Sequence, residues 1–272
     1  MARTALSQSV LLNRQETIIY NIAESGSDLT NLMKAHGIIM IFTWIVLVST
    51  GILVARYFKR SWPYRKLCGK AIWFAIHRTI MSSVALLTII SFVLILVYKK
   101  GQWVSQVNRR EFAHSIVGIL VVCFAVIQPF MALFRCNPDD EYRFIFNYAH
   151  ATVGLTAFLL SIVAIFLAMF FTQFGFQLNK EWVILVAWSG WLLMVFILFE
   201  WLEVHFQQQA SIIDKSNSFI MTDRNGSGAA KIEAIPMEDN VKKDRLKKVL
   251  LFFHLIIAFG LALALVILIS QS

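Results

Sequence analysis

Six long runs without an aspartate, glutamate, lysine or arginine constrain this chain more than any other feature. They cover residues 35–55, 79–98, 112–134, 144–179, 182–199 and 249–272. About 20 apolar residues in a helix span the hydrocarbon core of a bilayer. In lipid the backbone must satisfy its own hydrogen bonds, and the short alternating segments of a barrel are absent from the sequence. The expected fold is therefore all-α: a polytopic membrane protein with six transmembrane helices. The fourth run, at 36 residues, exceeds one span, and residues 175–179 are its expected turn. Pro129 falls late in the third run, where a kink is expected. A hydrophobic share of 58% with only 15% charge excludes a disordered chain and an ordinary soluble enzyme. Cys68, Cys123 and Cys136 form no CxxC or CxxCH motif, so neither a disulfide framework nor a c-type haem is indicated.

The basic residues set the expected orientation. Seventeen lie in the first–second, third–fourth and fifth–sixth connections and eight on the other side. The positive-inside rule places the richer side in the cytoplasm and both termini outside or in a lumen, in a plasma membrane or endomembrane. Residues 1–32 read as an extracellular segment or a linker from an upstream domain, and 33–204 as the core plus a fifth helix. Residues 205–246 read as a polar, flexible cytoplasmic loop, and 247–272 as the sixth helix. The basic residues sit in short loops beside spans, which argues against nucleic acid as a partner.

Four histidines carry the functional argument. His36, His77, His114 and His150 each lie near the N-terminal end of one of the first four spans. Consecutive helices run in opposite directions, so His36 and His114 fall toward the outer face, and His77 and His150 toward the inner. In an up-down-up-down four-helix bundle the first and third helices are diagonal, as are the second and fourth. Two imidazoles at one depth across a bundle axis suit the axial positions of a haem iron. Gly118 and Gly154 each follow a histidine by four residues, on the same helix face, and leave room for a flat macrocycle. His254 opens the sixth span on the inner side, an alternative inner ligand outside the four-helix core, and His205 is a weaker one.

The residues around these histidines resemble the core helices of cytochrome b-561 domains. The matching pieces are Lys34-Ala-His-Gly-Ile-Ile-Met with Trp44, Gly51 and Ala55-Arg56-Tyr57; Trp73…His77-Arg78; His114-Ser115…Gly118; and Asn147-Tyr148…His150…Gly154. The chain most resembles the DOMON-associated animal ferric-chelate reductase members, over residues 34–203. The resemblance implies two haem b groups, with His36 and His114 on the outer iron and His77 and His150 on the inner. It also implies cytosolic ascorbate as electron donor and a ferric chelate, cupric ion or monodehydroascorbate as outer acceptor, the activity of an ascorbate-dependent transmembrane reductase.

Among the basic residues, Arg56, Arg60, Lys66 and Lys70 are expected on the ascorbate side, where a positive mouth would attract a monoanion. Arg78 beside the inner pair, and Lys34, Arg109 and Arg110 beside the outer pair, are expected to meet haem propionates or, outside, anionic chelates. Glu200 and Glu203 fall in the headgroup zone and need no functional role. A homodimer through the first or fifth helix is in keeping with the family. The alternatives are a haem carrier that delivers electrons to a partner domain without reducing metal itself, and a haem-free transporter or receptor. The last leaves the matched histidine depths unexplained.

Overall fold

The computed structural model describes residues 30–62, 65–134, 140–171, 181–223 and 236–271. The N-terminal segment and the expected turn at 175–179 lie outside them. Six helices are long and apolar enough to cross a membrane. They are α1 (Thr30–Tyr57), α2 (Ile72–Tyr98), α3 (Arg109–Leu133), α4 (Arg143–Ala168), α5 (Glu181–Asp223) and α6 (Pro236–Gln271). The protein is thus a polytopic helical membrane protein. Its helices begin before the uncharged runs because polar first turns such as Arg109–Arg110–Glu111 remain at the interface while the backbone is already helical.

The stretch read as a loop between the fifth and sixth spans is helical at both ends. No glycine or proline interrupts residues 201–223, so α5 continues as far as Asp223. Pro236 occupies the first position of α6, where its missing N–H costs nothing. Residues 224–235 lie outside the described residues. Helix α3 runs on past Pro129 and ends at Leu133, one turn later.

Between α1 and α2 a short hairpin interrupts the helical pattern. Strands β1 (Lys66–Leu67) and β2 (Lys70–Ala71) pair antiparallel, Lys66 with Ala71 and Leu67 with Lys70. Its turn residues, Cys68 and Gly69, have φ of 49° and 73°, as a two-residue primed turn requires. Paired residues share a face of a ribbon, so Lys66 and Lys70 lie on opposite faces.

Helix α1 is the hub. It packs against α2, α4, α5 and α6, while α3 packs against α2 and α4. In its most apolar window 61% of α1 is buried, against 17–28% for each of the other spans. Those other helices face lipid with side chains such as Leu86, Phe130, Leu193 and Phe252. The seams on α1 are aromatic and close: Phe42 lies 5.5 Å from Phe259, and Tyr57 stacks 4.8 Å from Phe199. Within α1, residues Phe42–Val48 form a π-helical segment. The Ser49 hydroxyl at its end lies 2.5 Å from the Ile45 carbonyl and 3.2 Å from that of Val46. A hydroxyl turned back on its own helix satisfies carbonyls whose regular i+4 partners are displaced by the wider turn.

The C-terminal end of α1 is joined by charge to the middle of α5 and the early turns of α6. Arg56 bonds Glu200 at 3.0 Å, and the Tyr57 hydroxyl donates to the same carboxylate at 3.0 Å. Glu203 accepts from Lys243 at 2.5 Å and from Lys247, and Lys247 also donates to the Tyr57 carbonyl at 2.9 Å. Glu200 and Glu203, which the headgroup zone alone would explain, are therefore the anchors of α5 on α1 and α6. The Lys247 side chain is only 6% exposed, so removing its carboxylate strands a buried cation. We expect Glu203→Ala to destabilise the protein by about 3 kcal/mol, read as a lower unfolding temperature in detergent. Breaking the more exposed Lys248–Asp244 pair with Asp244→Asn is expected to cost less than about 1 kcal/mol.

Candidate functional site

The two histidine pairs meet as rings at opposite ends of the bundle. His36 on α1 and His114 on α3 have centroids 6.4 Å apart at an interplanar angle of 75°. His77 on α2 and His150 on α4 have centroids 6.4 Å apart at 76°. His254 and His205 join neither pair: His254 is wholly buried beside Ser49, and His205 stacks on Trp201. His77 touches Gly51 of α1, which lies 15 residues after His36. At 1.5 Å per residue the pairs are separated by roughly 20 Å along α1, most of the ~30 Å thickness of a hydrocarbon core.

Three of the four rings are held in the same way. His36 Nδ1 lies 2.9 Å from the Ser91 carbonyl of α2. His77 Nδ1 lies 2.9 Å from the Gly51 carbonyl of α1. His114 Nδ1 lies 2.8 Å from the Ala164 carbonyl of α4. A carbonyl only accepts, so each Nδ1 must carry the proton, and Nε2 keeps the lone pair. This is the arrangement that orients a metal-binding imidazole and raises its basicity. Ser91, itself buried, adds a second tie through its hydroxyl to the His36 carbonyl at 3.1 Å.

These contacts depend on close helix approach at Gly51. A methyl added there would lie 2.8 Å from Met81 Sδ and 3.3 Å from Ile80 Cγ2, both on α2. The glycine lets α2 come near enough for His77 to reach the α1 backbone. None of the three carbonyl acceptors is visible as a motif, because any residue supplies a carbonyl. Gly51, Ser91 and Ala164 are all small residues within apolar spans, which permits close approach without marking an acceptor.

The donor set decides what the pairs can hold. Among the described residues, no group of three or more histidine, cysteine, aspartate or glutamate side chains comes together. A four-coordinate protein zinc site is therefore not formed from them. Two nitrogens suit a metal whose remaining ligands come from a macrocycle. A metal about 2 Å from each of two imidazole nitrogens places the ring centres roughly 6 Å apart, which matches both pairs. At the His36–His114 end a cavity opens beside the rings, bordered by Trp44, Gly118, Ile165 and Phe171. A methyl added at Gly118 would meet nothing within 4 Å, so a flat apolar group has room against α3. The residues present thus fit a haem at this end. At the other end a methyl added at Gly154 would touch Gln128 at an ordinary contact distance of 3.5 Å, and the Gln128 amide donates to the His150 carbonyl at 3.0 Å.

The basic residues fall in several places. Lys34 reaches the Ser270 carbonyl at 3.4 Å, and Arg110 lies over the Phe170 ring and 3.5 Å from the Phe170 carbonyl. Arg109, Arg78, Arg60, Lys66 and Lys70 are exposed. Arg56 is engaged with Glu200. A further cation missed from sequence is Lys99, 3.9 Å from Glu111 at the border of the His36–His114 cavity.

A profile of the family described as eukaryotic cytochrome b561 matches residues 35–177. Ferric-chelate reductase 1 of Homo sapiens is 36% identical over 168 residues, 60% of this chain and 27% of the relative. Its namesake in Bos taurus is 33% identical over 191 residues, 70% of this chain and 31% of the relative. A cytochrome b561 and DOMON domain-containing protein of Arabidopsis thaliana is 31% identical over 141 residues, 52% of this chain and 32% of the relative. The matched part of the chain thus spans between a quarter and a third of these relatives. No solved structure matches the chain.

Glycine substitutions separate the two roles assigned above. Gly51→Ala should lower the unfolding temperature in detergent, at a cost of about 1–3 kcal/mol for overpacking the α1–α2 contact. Gly118→Ala, which faces open space when no haem is bound, should leave the unfolding temperature of the haem-free protein within a degree or two of the native chain (about 0.5 kcal/mol).

Proposed function

The chain belongs to the eukaryotic cytochrome b561 family, and we propose that it moves electrons across a membrane from cytosolic ascorbate to a ferric chelate or cupric ion outside. The observation that supports this most directly is the repetition of one ring geometry, 6.4 Å between imidazole centres, at both ends of the bundle. Family membership implies haem b, and two matched pairs support two groups per chain. His36 and His114 would hold one iron, His77 and His150 the other.

A bound haem supplies a one-electron iron couple, and the chain supplies the rest. Donation from Nδ1 to Ser91, Gly51 and Ala164 fixes the rings of His36, His77 and His114 with Nε2 available. Arg78 would meet propionates at the His77–His150 end, and Lys34, Arg109 and Arg110 at the other. The His77–His150 end shares its face with the connections that hold most of the basic residues, and we assign it to the cytoplasm. Arg60, Lys66 and Lys70 are exposed there and would draw in the ascorbate monoanion. The hairpin turns Lys66 and Lys70 to opposite faces, so one ligand would meet one of them. Arg56 contributes less, because Glu200 offsets its charge. In the net reaction ascorbate loses one electron and one proton inside, and the acceptor gains the electron outside.

The test is haem content by pyridine haemochrome, followed by spectra after ascorbate and then after a ferric chelate. We expect two haems b per chain, reduced by ascorbate and reoxidised by the chelate. Alanine at any one of the four histidines should remove one haem. Gly118→Leu should remove only the haem of the His36–His114 end. A folded, haem-free protein would overturn the reading. Reduction by ascorbate without reoxidation by ferric or cupric acceptors would favour a carrier that hands electrons to a partner domain.

A further inference from the structure

Helix α6 lies beyond the family-matched residues 35–177, yet, besides the Lys34–Ser270 contact at its far end, it grips α1 at two buried polar points near Gly51. Lys247 donates to the Tyr57 carbonyl, and seven residues later His254 contacts the Ser49 hydroxyl at 3.0 Å. Seven residues are about two turns, so both side chains leave the same face of α6. The two grips bracket Gly51, whose carbonyl holds His77.

The protons in the second grip can be assigned. The Ser49 hydroxyl has one hydrogen, and the Ile45 carbonyl, 2.5 Å away, takes it. Ser49 Oγ must then accept from His254, so His254 Nε2 carries a proton and Nδ1 does not. Both side chains are completely buried, and His254 Nδ1 has no partner among the described residues. A buried imidazole with an unmet lone pair is a costly way to fill space. Leucine or phenylalanine would pack there without it. What the histidine supplies that they lack is a donor to Ser49 at the point where the π-helical segment ends.

We propose that His254 is a positioning residue for the inner histidine pair: through Ser49 it fixes the end of the π-helical segment and so the place of the Gly51 carbonyl that holds His77. This rests on the haem reading above and deepens it. The hydrogen bond to Gly51 makes the His77 imidazole a stronger donor to ferric iron. Loss of the His254–Ser49 bond lets the segment relax, weakens that bond and favours the ferrous state. The potential of the inner haem therefore rises. The outer pair is held by Ser91 and Ala164 and stays unaffected.

The experiment uses the full chain in detergent, with spectroelectrochemical titration and low-temperature EPR resolving the two haems. The outer component is the one lost in His114→Ala. In His254→Leu the inner component should move to higher potential with a changed low-spin EPR signal, the outer component staying in place. His254→Gln, which keeps a donor at similar reach, should restore both. Ser49→Ala removes the acceptor with little change in volume and should reproduce the shift; it decides the matter if His254→Leu fails to fold. An inner component unmoved in two-haem samples, or both components moving together, would overturn the proposal. A native protein without haem would overturn the proposed function instead, before any variant is compared.

Discussion

Helical carbonyls that accept a second hydrogen bond, from an imidazole on the neighbouring helix, are the interaction on which the rest of this structure depends. The bond has a short reach. It forms only where two backbones come unusually close, and it selects one tautomer of the ring. His77 satisfies it against Gly51 at a point where even a methyl group would collide with Met81. His36 satisfies it against Ser91, whose hydroxyl ties back to the His36 carbonyl. In lipid, helix association has little hydrophobic drive, and small residues and polar ties take its place. The same contacts that hold the helices together here also orient the rings.

That constraint explains why α1 sits at the centre. It contributes a histidine to one end and a carbonyl acceptor to the other, so its register determines both sites at once. Four helices pack around it, and its buried share far exceeds that of the other spans. The π-helical segment lies between His36 and Gly51, where a change of helical pitch alters their relative orientation. A central helix with an internal irregularity needs external ties, and α5 and α6 provide them through Glu200, Lys247 and His254.

Much of the frame was legible in the sequence because lipid restricts the options. Uncharged runs of about 20 residues have one helical solution, and each run falls on one of α1 to α6. That the rings meet as His36 with His114 and His77 with His150 followed from alternating helix direction and diagonal placement alone. The unread parts are those where the backbone acts. The carbonyls of Gly51, Ser91 and Ala164 have no residue signature, and neither does a π-helical segment. Lys66 and Lys70 lie four apart, a spacing that suggests one helix face, but the Cys68–Gly69 turn places them on opposite faces of a ribbon. Glu200 and Glu203 looked like interfacial charges because their partners, Arg56, Lys243 and Lys247, are distant in sequence.

The two ends share ring geometry but not surroundings. Beside His114 the glycine face of α3 is open, with a cavity next to it. Beside His150 the corresponding face of α4 touches the Gln128 amide, which is tied to the His150 carbonyl. An iron centre's potential responds to the polarity, hydrogen bonding and solvent exposure around it as well as to its ligands. Identical histidine pairs in an apolar cavity and beside a primary amide are therefore not equivalent sites. The difference in surroundings arises from one glutamine and from the side on which α5 and α6 grip α1, with the four histidines kept alike.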